Sequence, residues 1–327
     1  MKAVLIVHED GSDKPRLKYS TVDDPVPGPN DLLVSVRSAG INRIDLQRST
    51  AHGGPTAGKP LIAGLEIAGE VLELGRDVKG FKVGDVVMGM TTGAYAEKAT
   101  IDHRLAMPIP EPFSFDQAVA VTTVYATAHN ALVTNGRFRR GQTVLIQGAA
   151  SAVGVATLQI AKAMGAGVVI GTGRSFRKGE QVLRLGLDRF LVKGQDSVAE
   201  EVARLTNDRG VDVVVDMVGG TALSDNLTSV ALGGHIVNVG WMGGKRDELD
   251  LDTLARKRVT LVGVSFRTRT IEQKAELFMQ FQKDVFPLFL EGKISPIIEK
   301  SYPLSEAEAV QDEIAQDTHL GKFLLHP

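Results

Sequence analysis

The stretch Val144-Leu145-Ile146-Gln147-Gly148-Ala149-Ala150-Ser151-Ala152-Val153-Gly154 decides the fold. An apolar run stops at small residues, and an amphipathic segment follows from about Val153 to Met164. That is the layout of a strand, a tight turn and a helix. Such a turn offers backbone N–H groups and a helix N-terminus to a pyrophosphate. The usual fingerprint is G-x-G-x-x-G. Here the six corresponding residues are Ala149, Ala150, Ser151, Ala152, Val153 and Gly154, so only the last glycine is kept. Taken alone, the turn reads equally well as a dinucleotide site and as an ordinary strand–helix turn packed with small side chains.

The elements that follow favour the first reading. Residues 167–173 read as a second strand, Lys178 to Leu185 as a short helix and 190–192 as a third strand. Ser197 to Leu205 is helical, 211–216 a strand and Leu223 to Leu232 a helix. Residues 235–239 and 259–264 are further strands. Apolar runs without clean alternation suit parallel strands buried on both faces. Strands alternating with helices suit a doubly wound α/β sheet, the Rossmann arrangement, and about six strands fit its two mononucleotide-binding halves.

A chain of 327 residues suggests about two domains. Before about residue 120 short strand-like pieces alternate with Gly and Pro: Asp31 to Ser38, Glu66 to Leu74, Asp85 to Met88 and Tyr95 to Thr100. Pro25, Pro27, Pro29, Pro108, Pro110 and Pro112 punctuate them, which reads as a β-rich domain. After about residue 265 come a helix from Ile271 to Leu290 carrying Pro287, a strand near Ile297 to Lys300, a helix from Ser305 to Gln316 and a strand from Lys322 to Leu325. Ser305 followed by Glu308 has the form of a capping box. This tail is too short for a domain of its own and is expected to rejoin the first. The expected division is 1–121 with 265–327, and 122–264.

Composition excludes several classes. The net charge of −2 leaves no basic footprint for nucleic acid. No apolar stretch reaches transmembrane length, and the run after Met1 reads as a first strand rather than a signal peptide. There is no cysteine, which removes disulfides and thiolate zinc sites. The expected location is cytoplasmic.

The order of a β-rich domain, an inserted dinucleotide fold and a C-terminal return resembles the medium-chain dehydrogenase/reductases over essentially the whole chain. The motifs that carry the resemblance are Ala39-Gly40-Ile41-Asn42-Arg43-Ile44-Asp45-Leu46, Ala63-Gly64-Leu65-Glu66-Ile67-Ala68-Gly69, Val83-Gly84-Asp85-Val86-Val87, Gly93-Ala94-Tyr95-Ala96-Glu97, the phosphate turn and the late Gly321-Lys322. The resemblance implies that the β-rich part is a GroES-like catalytic domain. Zinc-dependent members use a Cys near the position of Asn42 and a His in a Gly-His-Glu triplet. Here those positions hold Asn42 and Leu65, neither a normal zinc ligand. Glu66 remains, but a lone carboxylate makes no tetrahedral site, and the seven histidines show no zincin spacing. No metal is expected.

The zinc-free branch the chain is most similar to is the quinone oxidoreductases. Gln47-Arg48, Gly64-Leu65-Glu66, Val239-Gly240-Trp241-Met242-Gly243-Gly244 and Phe266-Arg267-Thr268-Arg269 resemble the animal p53-inducible subgroup. The resemblance implies NADPH as hydride donor and a quinone or α,β-unsaturated carbonyl as acceptor. It also implies a homodimer paired through the last parallel strand, which would otherwise be an open edge.

Charge supports the same cofactor. NAD-binding folds usually place an acid about 20 residues beyond the turn, on the ribose 2′-OH. That position falls near Gly173-Arg174-Ser175, with no acid, and Arg177 and Lys178 follow. Lys193 ends the third strand. These cations and the Ser175 hydroxyl suit a 2′-phosphate; the alternative is a solvated helix start. Lys178 and Lys193 match the family's phosphate-contacting positions best.

At the reacting end, the resemblance places Asn42 beside the nicotinamide. Its amide can bond a cofactor ribose or an oxygen gaining charge after hydride arrival; the alternative is an Asn that fixes a turn. Thr127 matches a position near the nicotinamide, and Val239, Gly240, Val264 and Phe266 would line the cofactor groove, with core packing as the rival reading. His52 falls near a substrate-facing Tyr of related reductases and could donate a proton; the plainer reading is a loop residue among Gly53, Gly54, Pro55 and Gly58. Tyr125 and His129 read as packing residues. The expected reaction is hydride transfer from NADPH to a quinone. The alternatives are reduction of an enone C=C bond, a cofactor-binding protein without turnover, and a zinc-dependent alcohol dehydrogenase with other ligands.

Overall fold

The structure is a computed structural model, and it describes residues 1–7, 15–47 and 61–327. The chain divides into two compact units, one of residues 1–123, 269–278 and 296–327, the other of residues 124–268 and 279–295.

In the first unit, β1 (Lys2–Val7) pairs antiparallel with β2 (Arg16–Thr21). Next come β3 (Asp31–Gly40), β4 (Glu66–Leu74), β5 (Val86–Met90), β6 (Lys98–Asp102) and β7 (Ala106–Pro108). In β3 the buried residues Leu32, Val34 and Val36 alternate with partly exposed ones, the period-two pattern of a sheet with one wetter face. Helix α1 (Phe115–His129) follows, and the division between the units falls within it.

The second unit alternates strands and helices: β8 (Thr143–Gln147), α2 (Ala152–Ala163), β9 (Val168–Gly173), α3 (Phe176–Arg184), β10 (Arg189–Val192), α4 (Val198–Thr206), β11 (Val211–Asp216), α5 (Leu223–Ser229), β12 (Val230–Asn238), α6 (Leu251–Lys257) and β13 (Thr260–Gly263). All six strands are parallel, in the order β10-β9-β8-β11-β12-β13. In sequence rank that is 3-2-1-4-5-6, the doubly wound order with its reversal between β8 and β11. Every residue of β8 is buried, which is why its sequence shows no alternation. Leu145, Ile170, Leu191, Val214 and Ile236 of five adjacent strands pack with Val202 of α4 and Leu227 of α5.

The return segment holds α7 (Ile271–Leu290), β14 (Ile298–Pro303), α8 (Ala307–Ala315) and β15 (Lys322–His326). The larger sheet of the first unit runs β14-β15-β3-β4-β5-β7, with β6 also on β3. Among the described residues no helix is long and apolar enough to cross a membrane.

Several local expectations differ from the structure. Residues 279–295 group with the second unit rather than the first. The ring of Phe289 meets Tyr125 edge-on at 4.9 Å, and the Tyr125 hydroxyl donates to the carbonyl of Ser295 at 3.0 Å and pairs with Gln159 Oε1 at 3.1 Å. The proposed helix 223–232 ends at Ser229, because Val230 turns extended and opens β12. The Ser305–Glu308 capping box does not form: residues 304–306 make a 3₁₀ turn, and α8 starts at Ala307. Glu308 instead accepts from Arg16 Nε and Nη2 at 3.3 and 3.1 Å.

His129 of α1 is buried, with Nε2 2.8 Å from Asp284 Oδ2. Its Nδ1 is buried and has no partner among the described residues. Burial holds this imidazole below its usual titration range, against the opposing pull of the Asp284 carboxylate. The unfolded chain takes up this proton near about pH 6.5 and the folded chain only lower. Below that pH the unfolded state therefore binds more protons, and the His129 contribution to stability is lost as pH falls. A His129→Gln variant is expected to show a flatter fall in Tm between about pH 7 and 5 than the wild-type chain. Parallel melting curves across that range check this, and an unchanged slope contradicts it.

Candidate active site

The carboxyl ends of the six parallel strands form one edge of the second unit. Ala150 to Val153 follow β8, Gly173 to Ser175 close β9, and Lys193 follows β10. Val239 and Gly240 follow β12, and Val264 and Phe266 follow β13. Thus most of the residues singled out for the cofactor share one sheet edge, although they are spread over more than a third of the sequence. Thr127 lies apart from them in sequence, on α1.

The turn after β8 has a defined internal geometry. Gly148 sits at φ 79°, where a glycine is favoured. Ser151 is the N-cap of α2: its Oγ accepts from Gly154 N at 3.1 Å and donates to Gly148 O at 2.8 Å. The hydroxyl thus stabilises the helix start. A Cβ at Gly154 would lie 2.5 Å from Gly148 O and 2.7 Å from Ala149 O, so only glycine lets α2 lie this close to the turn. The backbone N–H groups of Ala150, Ala152 and Val153 find no acceptor among the described residues. Three such groups at a helix N-terminus fit a pyrophosphate.

Beneath the turn runs a buried polar chain. Gly148 N donates to Thr172 Oγ1 at 3.3 Å, and Thr172 Oγ1 donates to Gln147 Oε1 at 2.6 Å. Gln147 Nε2 donates to Asn226 Oδ1 at 2.8 Å, and Asn226 Nδ2 to Asp216 Oδ2 at 3.0 Å. Asp216 Oδ1 accepts from Val218 N and Gly219 N at 2.7 and 2.9 Å. Burial raises the Asp216 carboxyl above its ordinary range, opposed by those same donors. The chain ties the ends of β8, β9 and β11 together, so the turn rests on a satisfied network rather than on a loose loop.

Around the second strand, Ser175 caps α3, its Oγ accepting from Lys178 N at a long 3.5 Å. Arg174 is exposed and Lys178 partly buried in the first turn of α3. Lys193 donates to Thr221 Oγ1 at 2.5 Å. Thr221 was not anticipated, since nothing in its local sequence marks it.

In the first unit, Asn42 belongs to a second cluster. Its Nδ2 donates to Glu66 Oε1 at 2.8 Å, and its Oδ1 accepts from Lys322 Nζ at 2.6 Å. Lys322 Nζ lies 2.5 Å from Glu66 Oε1, with the two side chains 4% and 0% exposed. Thr123 N donates to Glu66 Oε2 at 2.8 Å. Antiparallel pairing of β15 with the end of β3 brings Lys322 to Asn42 across 280 residues of chain. Asn42 N and the Tyr95 hydroxyl both donate to Asp45 Oδ2, at 2.8 and 2.6 Å. Burial, then Asp45, push the Tyr95 hydroxyl far above its ordinary range, so it stays a donor. Lys322 and Glu66 were quoted above as motif letters without a role. The missed signal is a lysine opening the strand Lys322–His326, whose first four residues are buried: a charge there must be paired. His52 lies outside the described residues.

This donor set does not suit zinc. Glu66 is engaged by Lys322, Asn42 and Thr123, and Leu65 offers no donor. Among the described residues no group of three or more His, Asp or Glu is arranged to hold a metal ion.

Comparison with known proteins adds the family. The alcohol dehydrogenase GroES-like domain matches residues 28–111, and the family described as zinc-binding dehydrogenase matches residues 152–281. A quinone oxidoreductase of Rattus norvegicus is 31% identical, over 99% of this chain and 97% of that protein. One of Mus musculus is 33% identical with the same coverage. This chain belongs to the quinone oxidoreductase family of the medium-chain dehydrogenase/reductases. Solved structures agree. Mycobacterial Rv1454c, solved in complex with NADPH, has a TM-score of 0.88 at 26% identity, covering 100% of both chains. The quinone oxidoreductase of Pseudomonas syringae pv. Tomato DC3000 has a TM-score of 0.86 at 28% identity, covering 100% of this chain and 99% of its own. As a member of the quinone oxidoreductase family, the chain is an oxidoreductase built from a GroES-like unit and a Rossmann unit.

Proposed function

We propose that the protein transfers hydride from NADPH to a quinone, with the second unit as the cofactor domain and the first as the catalytic domain. The observation that carries this reading is the turn at 148–154, with three backbone N–H groups awaiting an acceptor at the N-terminus of α2. Full-length likeness to quinone oxidoreductases supports the acceptor, and the NADPH complex of a structural relative supports the cofactor. The cofactor supplies the hydride; the protein supplies orientation and electrostatics. Ala150 to Val153 would hold the pyrophosphate. Gly173, Arg174, Ser175, Lys178 and Lys193 would hold the 2′-phosphate, and Thr127, Val239, Gly240, Val264 and Phe266 the rest of the cofactor.

Loss of Lys193 tests the NADPH preference. A Lys193→Ala variant removes one charge-assisted hydrogen bond and is expected to raise the KM for NADPH by about tenfold, leaving the weaker use of NADH unchanged. Equal effects on both cofactors would remove Lys193 from the 2′-phosphate site. Asn42 is assigned to the oxygen that gains charge as hydride arrives. An Asn42→Ala variant is expected to lose about a hundredfold in kcat, the usual cost of one such donor. Unchanged turnover would end that assignment.

Reduction of an enone C=C bond uses the same hydride and the same donor. Comparing kcat/KM for quinones and enones decides between them, with the higher value for quinones expected here. The homodimer rests on β13, an edge strand whose Leu261 is 41% exposed. Light scattering on the purified chain is expected to give twice the chain mass.

A further inference from the structure

A carboxamide carries one acceptor oxygen and two N–H groups. In Asn42 the oxygen accepts from Lys322 Nζ at 2.6 Å, and one N–H is given to Glu66 Oε1 at 2.8 Å. Lys322 Nζ also lies 2.5 Å from that same Glu66 oxygen. The three groups close a ring, and the ring has a sense. If the Asn42 amide flipped, its N–H groups would face an ammonium and its oxygen would face a carboxylate. Both contacts would be repulsive at positions where Lys322 and Glu66 are 4% and 0% exposed. The backbone of Asn42 is held as well, since its N–H donates to Asp45 Oδ2. Asn42 itself is only partly buried, and one of its N–H groups is left for a ligand.

We propose that Lys322 is a positioning residue for hydride transfer: it locks the Asn42 amide so that the site offers one N–H donor and no acceptor. Such a site takes the carbonyl oxygen of a quinone or enone and disfavours a hydroxyl that must donate. This rests on the role given to Asn42 above. A buried lysine beside a buried glutamate has a simpler use, which is to neutralise it, and the two uses separate experimentally.

The double variant Lys322→Met/Glu66→Gln removes both charges together, so neither is left buried alone. If Lys322 only neutralises Glu66, this protein regains wild-type Tm and wild-type kcat. If Lys322 positions Asn42, Tm recovers but kcat stays down by about tenfold or more, with the KM for NADPH within about twofold of wild type. Lys322→Arg, which keeps a cation and donors, is expected to retain most of kcat. A second readout needs no turnover. In wild-type protein labelled with ¹⁵N-asparagine, the Asn42 side-chain amide pair, assigned by its loss in Asn42→Ala, is expected to exchange slowly with deuterium. Fast exchange in the wild type, or full kcat in the double variant, overturns the inference. If the wild-type protein oxidises no NADPH with any quinone or enone, the proposed function fails instead, and the amide exchange still tests the lock.

Discussion

Lys322→Met is expected to lower the stability of the folded chain by about 3–5 kcal/mol, among the largest effects of any single substitution here. The reason is what it leaves behind. Glu66 is 0% exposed, and its Oε1 would lose the ammonium 2.5 Å away. The donors from Asn42 Nδ2 and Thr123 N would remain, but neither carries charge. An uncompensated buried carboxylate either stays charged at high cost or takes up a proton. Urea denaturation of the two proteins measures the difference directly. A loss below about 1 kcal/mol would mean that the carboxylate is served by water, and that the pair is not the isolated unit described.

Gly154→Ala is expected to damage cofactor binding more than any other single-methyl change. The added Cβ would lie 2.5 Å from Gly148 O, 2.7 Å from Ala149 O and 2.8 Å from Ala149 C. These are backbone atoms, so no side chain can rotate away. The start of α2 must move off β8, and the N–H groups of Ala152 and Val153 move with it. Overpacking of this kind costs about 1–3 kcal/mol in stability. NADPH affinity is expected to fall by about tenfold or more, because the anion site is built from those N–H groups. Titration of NADPH against the fluorescence of Trp241, the chain's single tryptophan, reads this. Wild-type affinity in Gly154→Ala would show that the turn does not hold the pyrophosphate.

The parallel sheet was legible because burial on both faces leaves its mark on the sequence. Strands such as Thr143–Gln147 are continuous short runs, and a helix such as α4 buries Val198, Val202 and Thr206 along one stripe. Helix α2, expected to be amphipathic, has no exposed residue. Elements with little burial were harder to see. Helix α6 has only seven residues and none of them is buried, so Leu251, Leu254 and Ala255 make too short an apolar stripe to reveal it. The start of β12, Val230-Ala231-Leu232, reads as readily as a helix end, and only pairing with β11 makes it extended. Helix α7 was found in full, yet its last part groups with the second unit through Phe281, Asp284 and Phe289, contacts that no local pattern announces. At the candidate site, Asn42 and the small-residue turn were readable because their chemistry is local. The Asn42–Glu66–Lys322 ring was not. Each member looks ordinary in its own segment, and sheet pairing across 280 residues is what joins them. The same holds for the buried chain from Thr172 to Asp216, whose members come from separate strands and α5.

The central claim is hydride transfer from NADPH to a quinone, and its most direct measurement is cofactor consumption at 340 nm. Purified protein would be mixed with NADPH or NADH and a panel of quinones and enones. The expected result is steady oxidation of NADPH by at least one quinone, with kcat/KM for NADPH exceeding that for NADH by about tenfold or more. Thermal stabilisation by NADPH without consumption by any acceptor would contradict the claim and leave a binding protein.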